Sequence, residues 1–276
     1  MEIKGILFDK DGTLIDFHKV WVPAARRVAE SLCGKYGVPD KQEEILLKMG
    51  VAGERVDPEG ALACKSYTEI AEDLAAVLFQ EENIPVECHD DRMPSQKMEF
   101  CASEERVREL SNDLERLFYA EVGEKLTHYP TFTNVKQMLR TLKAMGLKVG
   151  IATSDGWKST RSCLASLRVL GEFSFFGVTG VNLPEKPDGR LIEMAARQWN
   201  LSPEEIAVVG DTPNDMRFAE NGHALAIAVC SGVGTESSLT PLADYLIDSV
   251  ADLPAFVHSV NNEERKNVEY RIKACV

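Results

Sequence analysis

The 276 residues carry 31 lysines and arginines against 44 aspartates and glutamates, a formal charge of −13, and 44% of them are apolar. The apolar share supplies a core for one large domain or two smaller ones, while the acidic balance excludes binding nucleic acid or an anionic membrane through a general basic field. There is no apolar run of the roughly 18 residues that a bilayer requires, no leader before the first strand, and seven cysteines stand widely spaced and odd in number, so a cytoplasmic chain with reduced thiols is expected.

Gly5 to Phe8 is a short apolar run that predicts a strand buried on both faces, and Lys10-Asp11-Gly12 then turns the chain at its carboxyl end. Open α/β sheets bind ligands at that end. Asp9 closes the strand and Asp11 sits on the turn, so a skip of one residue can aim two carboxylates at one cleft. Their mutual repulsion calls for a cation or a proton on one of them. Gly12 permits positive φ, and the amides around Gly12 and Thr13 can form a nest for an anion. The same residues would also make an ordinary surface turn.

After Asp16 the pattern becomes an amphipathic helix, with Val20, Trp21, Ala24, Ala25, Val28, Ala29 and Leu32 at helical spacing. Similar stripes run over 62–79 and 104–122, separated by a polar loop around Pro85 to Pro94, and no buried strand is expected in this region. From Val135 an alternation typical of a parallel sheet begins: helix 135–145, strand 148–152, helix 158–167, strand 176–179, helix 191–199, strand 206–209, helix 216–221, strand 224–229 and a short strand 245–247. The first strand must join these, because alone it satisfies neither its backbone nor its two apolar faces. The expectation is a doubly wound parallel-sheet core of α/β class over 1–16 and 130–260. An all-helical domain over 17–129 is inserted into it, and 261–276 form a charged tail.

Three further sites follow the strands. Thr153-Ser154-Asp155 offers hydroxyls for a phosphoryl oxygen, or a helix cap. Lys186, before Pro187, would suit a phosphate, or solvent. In GDTPND, Asp211 could complete a Mg²⁺ site with Asp9 and Asp215 could hold Lys186, or both could cap a helix. The histidines and cysteines show no zinc-ligand spacing.

The series DKDGT, Thr153, Lys186-Pro and GDTPND, each after an apolar strand, resembles the haloacid dehalogenase superfamily of phosphohydrolases. VCSGVGTESSLTPLADYLIDSVADLPAFV and the long helical insertion resemble its phosphoglycolate phosphatase-like branch. The resemblance implies a Rossmann-like core under a helical cap that opens and closes. It implies Asp9 as nucleophile, Asp11 as general acid and base, and Thr153, Ser154, Lys186, Gly12 and Thr13 around the phosphoryl group. Mg²⁺ would be held by Asp9, Asp211 and the Asp11 backbone carbonyl, with Asp215 supporting from behind. The lysine motif departs from the family in reading EKPDG, where relatives often carry Gly before the lysine and a second proline after it. An acid at Asp11 favours a phosphate monoester, since relatives that cleave carbon–halogen or carbon–phosphorus bonds lack one. The expected partner is a small phosphorylated molecule, hydrolysed by a monomer or homodimer. The alternatives are a phosphomutase with the same residues and a non-catalytic binding protein. His18, Lys19, Trp21, Arg55, Lys65 and Arg92 are candidate specificity residues, each with a core or surface reading beside it.

Overall fold

The computed structural model describes residues 2–79, 95–179, 183–262 and 271–272. In chain order, β1 (Gly5–Phe8) leads into an insertion made of α1 (Phe17–Tyr36), α2 (Gln42–Lys48), β2 (Val51–Ala52), β3 (Arg55–Val56), α3 (Ala61–Cys64), α4 (Tyr67–Leu78) and α5 (Ser95–Phe118), the last extended by a wider turn over Tyr119–Glu124. The chain then alternates through α6 (Val135–Ala144), β4 (Lys148–Gly156), α7 (Trp157–Ser166), β5 (Phe175–Thr179), α8 (Arg190–Trp199), β6 (Ile206–Gly210), α9 (Pro213–Asn221), β7 (Leu225–Val229), α10 (Glu236–Leu239), β8 (Tyr245–Ile247), α11 (Leu253–Asn261) and β9 (Arg271–Ile272).

The strands form one sheet in the order β5-β4-β1-β6-β7-β8-β9. All neighbours run parallel except β8 and β9. β1 lies inside the sheet, with Ile6 opposite Val149 and Ala207, and Phe8 opposite Ile151 and Val209. Because side chains alternate along a strand, Ile6, Phe8, Ala207 and Val209 face one layer, built by α6, α7 and α11. Leu7, Ile206 and Val208 face the other, with Leu191 and Ala195 of α8 and Met216 and Phe218 of α9. Helices therefore cover both faces, the doubly wound arrangement, and both layers are built of buried apolar side chains. An apolar run such as GILF, without alternation, is what a strand buried on both sides requires.

The insertion joins the first of these layers. α1 buries the stripe Val20, Trp21, Ala24, Ala25, Val28, Ala29 and Leu32, and Trp21 and Tyr67 pack on Phe118 with ring centroids 5.6 and 5.7 Å apart. The insertion is not wholly helical, however: β2 and β3 pair antiparallel across a turn in which Gly53 has φ 61°. Two residues per strand are too few to set up a period-2 pattern, so the sequence gives no sign of them. β4 also outruns the expected end at Ala152, because Thr153 pairs with Val178 and, past an irregularity, Gly156 with Thr179. Thr153 is thus a strand residue, and the residue before α7 is Gly156. Among the described residues no helix is long and apolar enough to cross a membrane. The loop expected at Pro85 to Pro94 and most of the tail lie outside the described residues.

Candidate active site

Asp9 directly follows β1, where its N–H donates to the carbonyl of Val209 at 2.8 Å. The neighbours of β1 deliver the rest: β4 carries Thr153 on one side, and β6 ends just before Asp211 on the other. Asp215 comes one helical turn later, on α9. Between Asp9 and Asp215 lies the ammonium of Lys186, 2.6 Å from Asp9 Oδ1 and 2.6 Å from Asp215 Oδ1. Its side chain is only 5% exposed; Lys186 is no surface lysine. Burial opposes its charge, but Asp215 and Asp9 outweigh that and hold it charged.

Asp215 serves two ends. Its Oδ1 receives Lys186, while its Oδ2 accepts from Thr212 N–H at 3.0 Å and Thr212 Oγ1 at 2.6 Å, a reciprocal cap on α9. The capping and the functional readings of this residue are therefore compatible.

Asp211 is fully buried, its Oδ1 accepting from Thr13 Oγ1 at 3.0 Å and its Oδ2 from Val233 N–H at 2.8 Å. Gly12, at φ 98°, and Gly232 close around it so tightly that a Cβ on either would overlap the carboxylate. Gly12 thus has the positive φ expected of it, and the Thr13 hydroxyl is directed at Asp211.

Asp9, Asp211 and Asp215 each offer an oxygen within 4.8 Å of the others. Burial pushes the Asp9 carboxyl up to about 7 against the pull of Lys186, with Asp215 and Asp11 adding to the rise. Burial and then Asp9 and Asp215 push Asp211 well above the usual carboxylate range. Three buried carboxylates facing one ammonium leave about two negative charges uncompensated. Hard oxygen donors in a cradle sized by glycines fit a small divalent cation such as Mg²⁺.

Asp11 lies outside this triad. Its Oδ1 accepts from Trp21 Nε1–H at 2.7 Å, and its Oδ2 is 2.5 Å from Lys10 Nζ. Burial raises its carboxyl, and Lys10 pulls it back. Its carboxylate is thus engaged by Trp21 and Lys10. The Thr153 hydroxyl accepts from Asp155 N–H at 3.1 Å, which leaves its proton free to donate.

A cavity of about 50 Å³ joins these groups. Asp9, Asp11, Thr153, Ser154, Lys186 and Asp215 line its floor; Gly12, Thr13 and Asp211 lie behind it. Its roof comes from the insertion, through Trp21, Leu62, Lys65 and Tyr67. Of the candidate specificity residues, Lys65 reaches the cavity while paired with Asp73 at 2.7 Å, and Trp21 belongs both to the buried core and to Asp11. His18 is half-buried, Lys19 and Arg55 are exposed, and Arg92 lies outside the described residues. Lys10 and Tyr67 were not candidates from sequence. The available signal was a lysine wedged between two aspartates at the end of a buried strand.

Residues 3–223 match the haloacid dehalogenase-like hydrolase family, and the chain belongs to it. It is a phosphohydrolase of that class. The phosphoglycolate phosphatase of Salmonella choleraesuis is 28% identical over 270 residues, covering 96% of this chain and 97% of the relative. Among solved structures, a predicted phosphoglycolate phosphatase from Haemophilus somnus superposes with TM-score 0.63 at 20% identity, covering 93% of this chain and 98% of the other. The β-phosphoglucomutase of Clostridium difficile gives 0.61 at 16% identity, covering 95% and 98%. These two structural likenesses establish the fold.

Proposed function

We propose that this protein is a Mg²⁺-dependent phosphatase that hydrolyses a small phosphate monoester, of the size of phosphoglycolate, through an aspartyl-phosphate on Asp9. The observation that carries this reading is the convergence of Asp9, Thr153, Lys186 and Asp215 on one small cavity at the carboxyl end of parallel strands. Asp9 Oδ1 is engaged by Lys186, so Oδ2 is the oxygen that attacks phosphorus. As that bond forms, the bond from phosphorus to the leaving oxygen breaks, and Asp11 gives its proton to the departing alkoxide. Burial raises the carboxyl of Asp11 above the ordinary carboxylate range, the direction a general acid needs. Asp11 then takes a proton from water, the water oxygen bonds to phosphorus, and the phosphorus–Asp9 bond breaks to free inorganic phosphate.

Thr153 Oγ–H and Lys186 bind the phosphoryl oxygens, and Lys186 offsets charge between the nucleophile and the incoming anion. Mg²⁺, held by the carboxylates of Asp9 and Asp211 and the backbone carbonyl of Asp11, would supply further charge compensation at the phosphoryl group. The insertion acts as a cap over residues 17–129 that opens to admit substrate, since its side chains roof the cavity. The small cavity, of about 50 Å³, supports a substrate of few atoms. In this reading the enzyme works in the cytoplasm as a monomer or homodimer. The test is phosphate release from a panel of phosphorylated metabolites, phosphoglycolate included, with and without Mg²⁺. Release should require Mg²⁺ and vanish in Asp9→Asn; release that survives in that variant would overturn the mechanism.

A further inference from the structure

Lys10 is fully buried, at 0% exposure, between Asp9 and Asp11. Its ammonium lies 2.5 Å from Asp11 Oδ2, 2.9 Å from Asp155 Oδ2 and 5.6 Å from the centroid of the Trp21 ring. Asp155 is itself buried and tied down: its Oδ1 accepts from Gly156 N–H at 2.8 Å, and its own N–H donates to Thr153 Oγ1. Residue 10 follows a strand whose side chains are all buried and apolar, where an apolar residue would satisfy the fold. Burying an ammonium is costly, and a buried ion pair is weak support for stability compared with apolar packing. A lysine at this place therefore needs another reason.

Resting on the reading of Asp11 as acid and base, we infer that Lys10 is a positioning residue, which clamps the Asp11 carboxylate to the end of β4 through Asp155. Trp21 holds one carboxylate oxygen and Lys10 the other, so the acid is fixed at both oxygens. The second fixing point belongs to the strand whose Thr153 offers its hydroxyl to the phosphoryl group. The distance between proton donor and phosphorus is thereby set by one buried bridge from β1 to β4. Without the bridge nothing holds the second oxygen of Asp11 beside Asp155, and the acid swings away. The nucleophile keeps its own partner, Lys186.

This separation gives the test. An alkyl phosphate needs a proton on its leaving oxygen, whereas p-nitrophenyl phosphate releases a stable phenolate without one. The quantity to compare is kcat/KM, which reports steps up to leaving-group departure. It is measured with Mg²⁺ on 2-phosphoglycolate, on glycerol 2-phosphate and on p-nitrophenyl phosphate. Lys10→Met should lower kcat/KM on the alkyl esters at least about tenfold more than on the nitrophenyl ester, a share of the ~10²–10⁴-fold that a general acid supplies. Equal losses on both ester types, or no loss, would overturn the inference and leave Lys10 a purely structural residue. Should Lys10→Met fail to fold, Asp155→Asn decides. It keeps the acceptor for Gly156 N–H but removes the charge that anchors Lys10, and the same skew is expected at smaller size; equal losses again overturn the inference. Wild-type protein inactive on all three esters would instead remove the phosphatase reading, and this inference with it.

Discussion

Asp9→Asn should stabilise the metal-free protein while abolishing its turnover. In the native chain burial pushes the Asp9 carboxyl from 3.8 to about 7. At ~1.4 kcal/mol for each tenfold change in proton affinity, carrying the charge at Asp9 costs the folded state about 4 kcal/mol. The folded carboxyl binds its proton more tightly than the unfolded one, so between about pH 4 and pH 7 unfolding releases a proton, and stability falls as pH rises through that window. Asparagine is neutral throughout and can still accept from Lys186. Without Mg²⁺ the two proteins should be nearly equal at pH 4 to 5, and the variant should lead by up to about 4 kcal/mol at pH 8, on the order of 10 °C in Tm. Mg²⁺ should narrow the gap by stabilising the wild type more. The assay is urea unfolding in EDTA from pH 5 to 8, with the difference between the two proteins isolating Asp9 from titrations they share. Parallel curves across that range, or a variant less stable at pH 8, would refute the account of Asp9 as a buried, uncompensated charge.

Gly12→Ala should lose activity and Mg²⁺-induced stabilisation together, because a Cβ at φ 98° strains the turn and overlaps the Asp211 carboxylate; Mg²⁺ titration followed by thermal shift checks it. Gly232→Ala should repeat the effect without a positive φ, which separates crowding of Asp211 from backbone strain. Lys186→Met leaves Asp9 and Asp215 without their ammonium and should destabilise by about 3–5 kcal/mol, with turnover undetectable; unfolding and phosphate release measure the two losses. Thr153→Val removes a hydroxyl placed to donate to a charged phosphoryl oxygen, and kcat/KM should fall roughly 10- to 100-fold, as for a hydrogen bond of about 1.5–3 kcal/mol to a charged group.

The parts of the site that were legible in the sequence are those fixed by local pattern. Asp9, Thr153 and Asp211 each come at or just past the end of an apolar run, and in a parallel sheet the carboxyl ends of strands lie along one edge. Periodicity therefore locates them before any contact is known. The stripe from Val20 to Leu32 was equally plain, because 20 residues of helix repeat the same face five times over. The two-residue strands β2 and β3 repeat nothing and left no trace. Lys10 and Asp155 stand 145 positions apart, and they meet only because β4 pairs with β1, a choice that strand patterns do not encode. Trp21 read as core, and it is core; that its indole N–H ends at Asp11 depends on the angle at which α1 leaves the first turn.

Charge ties these cases together. Asp9, Asp11, Asp155, Asp211 and Asp215 gather around Lys10 and Lys186, so with every group ionised these seven hold a net charge of −3. A phosphate monoester is itself an anion, and a site so charged would repel it at close range in a medium less polarisable than water. The two lysines are therefore placed in series: Lys186 stands between Asp9 and Asp215, and Lys10 between Asp11 and Asp155. Each ammonium stands between two carboxylates and offsets the repulsion between them. In the proposed reading, what remains is close to the charge of one divalent cation plus the proton that Asp11 would carry as an acid. In that reading a chain of formal charge −13 can take up an anion, and removing either lysine should fail in a different step of the reaction.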